Sequence, residues 1–230
     1  MNTWLDMWRA AAGNALGQRC LLCDASSAGE PVCAQCEQGL PKIASSCPRC
    51  AMPSPQGAVC GACLVRAPAF DATLAAWAYR FPVDRLVIAL KFRARLQLAP
   101  WFAAVLAPLV PGDVDRLAAL PLHQSRLAGR GFNQAHEIAR HLQKACKVPL
   151  IESGLRRRLA TEEQSRLPHG ARARNVRGAF QCDVDLHGLC VAVIDDVMTT
   201  GATLEEFAKT LKRAGAARVV NCVLARTLPQ

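Results

Sequence analysis

The chain predicts an α/β fold, a mainly parallel sheet flanked by helices, preceded by a small domain held together by metal rather than by an apolar core. Three observations carry that prediction. From about residue 71 onward, strand-like apolar runs alternate with helix-periodic segments, the pattern of a parallel sheet with crossover helices. One run, Val191 to Ile194, is continuously apolar, as strands covered on both faces are; it leads into two aspartates, a hydroxyl-rich turn and a helix. The first 65 or so residues, by contrast, hold four Cys-x-x-Cys pairs and few aliphatic residues.

The cysteine-rich segment comes first. Cys20, Cys23, Cys33 and Cys36 recur 27 positions later as Cys47, Cys50, Cys60 and Cys63. Each unit supplies four thiolates, enough to close one tetrahedral zinc site with no open position, so two structural zinc ions are expected. The in-phase repeat favours pairing within each unit; interleaved pairing stays open but breaks the symmetry. A disulfide framework needs an oxidising compartment. The N-terminal Met1-Asn-Thr-Trp-Leu-Asp-Met-Trp-Arg9 lacks the basic and apolar regions of a secretory signal, which points to the cytoplasm. An iron–sulfur cluster also takes four thiolates, but regular paired knuckles favour zinc. Cys146, Cys182, Cys190 and Cys222 lie singly among apolar neighbours and read as small buried hydrophobes. Pro68, within Val65–Phe70, marks a linker, giving one domain of residues 1–66 and a second of residues 67–230.

In the second domain Thr73–Tyr79 reads as a strand and Val83–Phe92 as a helix, with Pro82 near its start where a missing N–H is tolerated. A further helix is expected around Trp101–Leu106, and Leu117–Leu122 reads as a strand entering a loop. Asn133–Cys146 carries Ala135, Ile138, Ala139, Leu142 and Cys146 on one helical face. Short strands are expected at Val148–Ile151 and Ala179–Cys182. The Val191 strand, a helix from Thr203 to Ala214 and a strand from Arg218 to Ala225 complete the domain. Leu98–Val110 is apolar but is broken by Pro100 and Pro108 and falls short of the ~20 residues of a membrane span, so no membrane insertion is expected.

The chemistry concentrates after the Val191 strand. Asp195 and Asp196 sit at its end, and Thr199, Thr200, Gly201, Ala202 and Thr203 form the turn into the next helix. A helix N-terminus presents unpaired N–H groups and a positive dipole end, Gly201 permits close backbone approach, and threonine hydroxyls add donors, so this turn suits a phosphate. Carboxylates suit the opposite partner, since sugar hydroxyls donate to them. Phosphate donors beside two acids indicate a ribose 5-phosphate. Many α/β proteins end a strand in acidic residues, but the full Val191–Thr203 pattern goes beyond that.

Charge is uneven. The formal net charge is +10, while residues 1–66 hold five basic against four acidic residues, so the excess lies in the second domain. Such a surface attracts polyanions without specifying one. A single tyrosine gives little support for a base-stacking platform. The segment from Arg156 to Arg177 holds seven arginines against two glutamates, which suits a flap over phosphates or a polynucleotide contact.

The stretch Val191–Thr203 resembles the 5-phosphoribosyl-1-pyrophosphate (PRPP) loop of the type I phosphoribosyltransferases. That resemblance implies a type I phosphoribosyltransferase-like fold, with Asp195 and Asp196 on the ribose hydroxyls and Thr199, Thr200, Gly201, Ala202 and Thr203 around the 5-phosphate. Three further segments narrow it to the competence-associated ComF family: Leu90-Lys-Phe-Arg93, Pro121-Leu-His-Gln-Ser-Arg-Leu-Ala-Gly-Arg-Gly-Phe-Asn-Gln-Ala135, and Arg157–Phe180. Glu163 departs from the pattern, which usually has proline before the glutamine found here as Gln164. The double zinc ribbon matches as well. A pyrophosphate leaving group needs positive charge: Arg126 and Arg130 are candidates to contact it, Lys91 is a weaker one, His123 orients the loop or donates to a phosphate, and Mg2+ neutralises the phosphates. The resemblance implies PRPP as ligand, a transferase with an unknown acceptor or a non-catalytic PRPP sensor or adaptor, and a role in DNA uptake and processing. Single-stranded DNA and other competence proteins are the further partners it implies.

Overall fold

The computed structural model describes residues 18–159 and 176–229. Its main sheet has four parallel strands: β1 (Ala72–Ala78), β2 (Arg116–Ala119), β5 (Cys190–Met198) and β6 (Arg218–Arg226), in the order β1-β6-β5-β2. The central pair explains the continuous apolar runs: Val191–Ile194 and Val219–Val220 are fully buried, so both faces of the sheet are covered. Helices α4 (Leu98–Leu106) and α6 (Gln134–Cys146) pack on each other and on the sheet. Trp101 of α4 stacks on Trp77 of β1 at 5.6 Å, and Ile138, Ala139 and Leu142 form the buried face that the α6 periodicity anticipates. Asn133 caps α6, its side-chain oxygen accepting from the N–H groups of Ala135 and His136. Helix α7 (Ala202–Arg213) buries Leu204, Phe207, Ala208 and Leu211, with Phe207 against Phe180 at 5.0 Å.

Several elements differ from expectation, each for a local reason. Val148–Ile151 makes one bridge, Leu117 with Leu150, instead of a strand. Pro149 has no N–H to extend a ladder, and the Leu150 N–H goes to the side chain of Gln143. The expected strand at Ala179–Cys182 is β4 (Phe180–Cys182), but it pairs antiparallel with β3 (Leu155–Arg157) in a separate two-stranded sheet. Helix α5 (Gln124–Arg130) was not expected; His123 caps it, its ring nitrogen accepting from the Ser125 N–H. Helix α3 (Val83–Arg93) runs as read, from Pro82. Strand β5 continues past Ile194 through both aspartates to Met198.

The 27-residue repeat is a structural repeat. Bridges Arg19–Ser26 and Ser46–Pro53, the bonds from the N–H of Cys20 to the Ala25 carbonyl and from that of Cys47 to Met52, and the short helices α1 (Ala34–Gln38) and α2 (Gly61–Val65) occur at equivalent positions. The thiols gather as Cys20, Cys23, Cys33 and Cys36, and as Cys47, Cys50, Cys60 and Cys63, each set with sulfurs within 4.8 Å of one another. Pairing is sequential. Contacts of 3.7 Å between Cys23 and Cys33 and 3.6 Å between Cys50 and Cys60 match the ~3.8 Å edge of a tetrahedron with 2.3 Å zinc–sulfur bonds. Burial opposes ionisation of Cys20 and Cys47, but N–H donors outweigh it and bring both to about 6. Cys36 is pushed up to about 12, first by the Cys23 thiol and then by burial. One thiolate forms readily and the last is held protonated by its neighbours, a ligand set that a dication completes.

The ribbons close the exposed edge of the sheet. The N–H groups of Thr73 and Ala78 on β1 donate to the carbonyls of Pro48 and Pro41, at 3.1 and 2.8 Å. Val32 and Leu40 of the first ribbon join the same apolar cluster as the sheet, so this segment does bury some aliphatic surface after all. Metal analysis of protein made in zinc-replete medium is expected to give about two equivalents per chain, one per closed four-thiolate site. A value near one would contradict two independent sites.

Candidate functional site

A cleft of about 490 Å3 opens at the carboxyl ends of β1, β2 and β5, where ligands of parallel sheets bind. Asp195, Asp196, Thr199, Gly201 and Thr203 line it from β5 and the loop; Lys91 and Phe92 come from α3, Arg126 and Arg130 from α5, and Arg157 from β3. The fold thus brings the acidic pair and most of the loop together with the arginines after Pro121. Gly201 takes φ +83°, a conformation that side chains resist, and a Cβ there would lie 2.5 Å from the Met198 methyl. Gly201 is also the cap residue of α7 and itself offers no side chain to the first N–H groups of that helix. The Thr200 hydroxyl accepts from the Ala202 N–H at 3.3 Å and shapes the turn. His123 caps α5 and does not line the cleft.

The acids are unlike surface carboxylates. Asp195 and Asp196 are 9% and 3% exposed. Asp196 pairs with Lys91 at 2.8 Å, a contact between α3 and β5 that the sequence did not assign to the lysine. Burial pulls the Lys91 ammonium down, but the charge of Asp196, with that of Asp195 behind it, more than compensates and raises it. Asp195 accepts from the Asp196 N–H at 2.8 Å. Burial first, then the neighbouring Asp196 charge, pushes Asp195 up to about 8 against the opposing pull of Lys91 and Arg157. The two carboxylates therefore divide: Asp196 is held by a lysine, while burial and the Asp196 charge make Asp195 resist ionisation, which a hydrogen-bond donor or a cation beside it would favour.

Arg157 is the site residue that sequence reasoning named only as part of a run. It is 8% exposed, lies over the Phe180 ring at 5.4 Å, and its guanidinium is lowered to about 10 by burial first and by Arg126 second. It stays charged at neutral pH. Its antiparallel pairing partner in the β3–β4 sheet is Phe180, while its neighbour Arg156 is exposed and pairs with Asp183 at 2.9 Å. The strand alternation of Arg156 and Arg157 was the available signal, but no strand was read there. Arg130 bonds Gln134 and lies over the Phe92 ring at 5.2 Å. Arg172, Arg174 and the rest of residues 160–175 lie outside the described residues.

Because Asp195 titrates higher in the folded chain than in the unfolded one, its ionisation opposes folding as pH rises from about 4 to about 8. Asp195→Asn removes that titration and keeps an oxygen for the Asp196 N–H. Denaturant titrations are expected to show the variant gaining on the wild type as pH rises, by on the order of 2 kcal/mol at pH 8. A difference that stays constant from pH 4 to 8 would show an ordinary carboxylate.

Residues 14–64 match the family model described as the double zinc ribbon domain. The chain is 32% identical over 210 residues to the DNA utilization protein YhgH of Salmonella typhimurium, covering 86% of this chain and 91% of that protein. It is 30% identical over 231 residues to Competence protein ComFC of Bacillus subtilis, covering 88% and 92%. To Competence protein F of Haemophilus influenzae it is 29% identical over 179 residues, covering 73% and 78%. The solved purine phosphoribosyltransferase from Pyrococcus horikoshii overlaps 67% of this chain and 78% of its own at a TM-score of 0.32 and 18% identity, a partial likeness that leaves the fold resting on its own sheet. Relatives at nearly a third identity along almost the whole length, joined to the repeated ribbon, show that the chain belongs to the ComF family.

Proposed function

We propose that the cleft binds PRPP and that the chain acts as a phosphoribosyltransferase-like protein in the handling of incoming DNA in the cytoplasm. The observation that carries the ligand is the convergence of two buried carboxylates, the α7 N-terminus behind the left-handed Gly201, and the cations Arg126, Arg130 and Arg157 in one cleft. The carboxylates accept from the ribose hydroxyls, the loop from Thr199 to Thr203 takes the 5-phosphate, and the arginines face the pyrophosphate. Among the described residues the only convergent clusters of metal-ligating side chains are the two cysteine sets, so Mg2+ enters with the pyrophosphate rather than in a protein-built site. It would supply charge neutralisation of the leaving group. The relatives named for DNA utilization and competence support the physiological side of this reading.

Two biochemical outcomes follow from one site. As a transferase, the chain breaks the bond from ribose C1 to pyrophosphate and joins C1 to an acceptor; as a sensor, it holds PRPP intact. Pyrophosphate release from PRPP and Mg2+ with added nucleobases distinguishes them. Calorimetric titration is expected to show Mg2+-dependent PRPP binding that Asp196→Asn weakens roughly tenfold to a hundredfold, the usual loss of a charge-assisted hydrogen bond. Equal affinity in wild type and variant would sink the ribose assignment.

A second surface favours a nucleic-acid contact. Another cleft, about 760 Å3, is lined by Arg66, Arg177, Lys209, Lys212 and Arg213 against Glu205 and Glu206. Both acids are engaged, Glu205 by the Ala69 N–H and Lys209, Glu206 by the Gly178 N–H and Arg213, so Arg66 and Arg177 keep their charge for a ligand. Changing both to glutamine is expected to weaken binding of a labelled single strand and to reduce its log–log salt slope by ~0.7 per lost phosphate contact. An unchanged slope would remove this cleft from the DNA path.

A further inference from the structure

Strand β6 ends in a buried arginine that joins the second ribbon to the loop after β5. Arg226 is 5% exposed and sits in register between Ala78 of β1 and Met198 of β5. Its Nε donates to the carbonyl of Cys50 at 2.9 Å, and Nη1 donates to the carbonyls of Met198 at 3.0 Å, Thr227 at 2.9 Å, and Thr199. All of these acceptors are neutral. No carboxylate pairs with this guanidinium among the described residues. Cys50 belongs to the second four-cysteine site, and Thr199 is the first residue of the loop that ends in Gly201 and the start of α7. A dication bound by four thiolates carries a formal charge of −2, so the filled second site is the nearest compensation for this buried cation. Among the described residues Cys23, the equivalent position of the first ribbon, has no such contact.

We propose that Arg226 is a positioning residue for the phosphate loop, and that it ties the shape of that loop to the integrity of the second ribbon rather than the first. The guanidinium is planar and rigid, so its bond to Cys50 fixes the direction in which the remaining N–H groups reach Met198 and Thr199. Those carbonyls set where the chain leaves β5, and the left-handed Gly201 then sets where the first N–H groups of α7 point. When the second ribbon loses its metal, a unit with little core of its own loses its main restraint, and the Cys50 carbonyl is no longer held against Arg226. A buried guanidinium that loses an acceptor and its compensating charge draws on whatever carbonyls remain, and those belong to the loop.

This proposal rests on reading the loop from Thr199 to Thr203 as the phosphate holder, so its test has one readout that needs no ligand. In the metal-loaded full chain, amide hydrogen exchange of the loop peptide and calorimetric PRPP affinity are measured for the wild type, Arg226→Met, Cys60→Ala, Cys33→Ala and the Arg226→Met doubles. Arg226→Met and Cys60→Ala are each expected to speed loop exchange about tenfold and to weaken PRPP about tenfold, and the double is expected to be no worse than either single change. Cys33→Ala, at the equivalent ligand of the first ribbon, is expected to add independently to Arg226→Met. Additive effects of Cys60→Ala and Arg226→Met, or equal non-additivity in both ribbons, would overturn the coupling. If Arg226→Met fails to fold, Arg226→Lys keeps the charge and loses the planar fork that reaches Cys50 and the loop at once, and takes its place in the cycle. A wild type that binds no PRPP, with loop exchange coupled as expected, defeats the ligand assignment and leaves the positioning role standing.

Discussion

The parallel pairing of β5 with β6 is the contact through which the site is built. From Cys190–Arg218 to Met198–Arg226 the two strands run in register, and their apolar residues, all but the half-buried Val197, are buried. Such burial removes water from the whole strand, including the segment where the sequence turns acidic. Asp195 and Asp196 are therefore not surface carboxylates at a strand end but part of the sheet itself, carried into the cleft by a strand that does not stop before them. Their position is set by the buried core below them, so the cleft carries its acids on the sheet rather than on a surface loop.

Rigidity of that kind has an electrostatic cost. Two adjacent buried carboxylates cannot both ionise without help, and the fold answers with Lys91 on Asp196 and Arg157 near Asp195. The compensation is incomplete, and Asp195 stays hard to ionise. A strained charge balance in a cleft is a common mark of function, since hydroxyl donors or a cation would relieve what folding alone leaves unrelieved. Sites that look wasteful for stability are places where stability has been traded for binding.

The ribbons solve a different problem. The edge of a sheet offers a row of unpaired backbone groups, and β1 is such an edge. Carbonyls of Pro41 and Pro48 take two of its N–H groups, so a segment poor in aliphatic residues covers the edge and borrows the sheet's core through Val32 and Leu40. The same docking brings Cys50 against Arg226. A domain that reads in sequence as a metal-held appendage is thereby joined to the loop from Thr199 to Gly201 through Arg226.

What the sequence by itself determined is everything carried by residues near one another in the chain. The two sets of four cysteines, the Val191–Thr203 stretch, the acidic pair, and the buried face of α6 all rest on spacings of fewer than twenty residues, where covalent geometry leaves few alternatives. The strand order β1-β6-β5-β2 was decided only in three dimensions, because it places next to each other strands far apart in the chain. With it came Lys91 on Asp196, Arg157 in the cleft, and Arg226 on a carbonyl 176 positions away. The expected strand at Val148–Ile151 failed for the same reason: its apolar character was legible, but Pro149 and the Gln143 side chain settled how its backbone bonds were used. Hydrophobic periodicity reports which face of an element is buried, and nothing in it names the partner; charge pairing across the sheet depends on that partner, so only the packed chain supplies it.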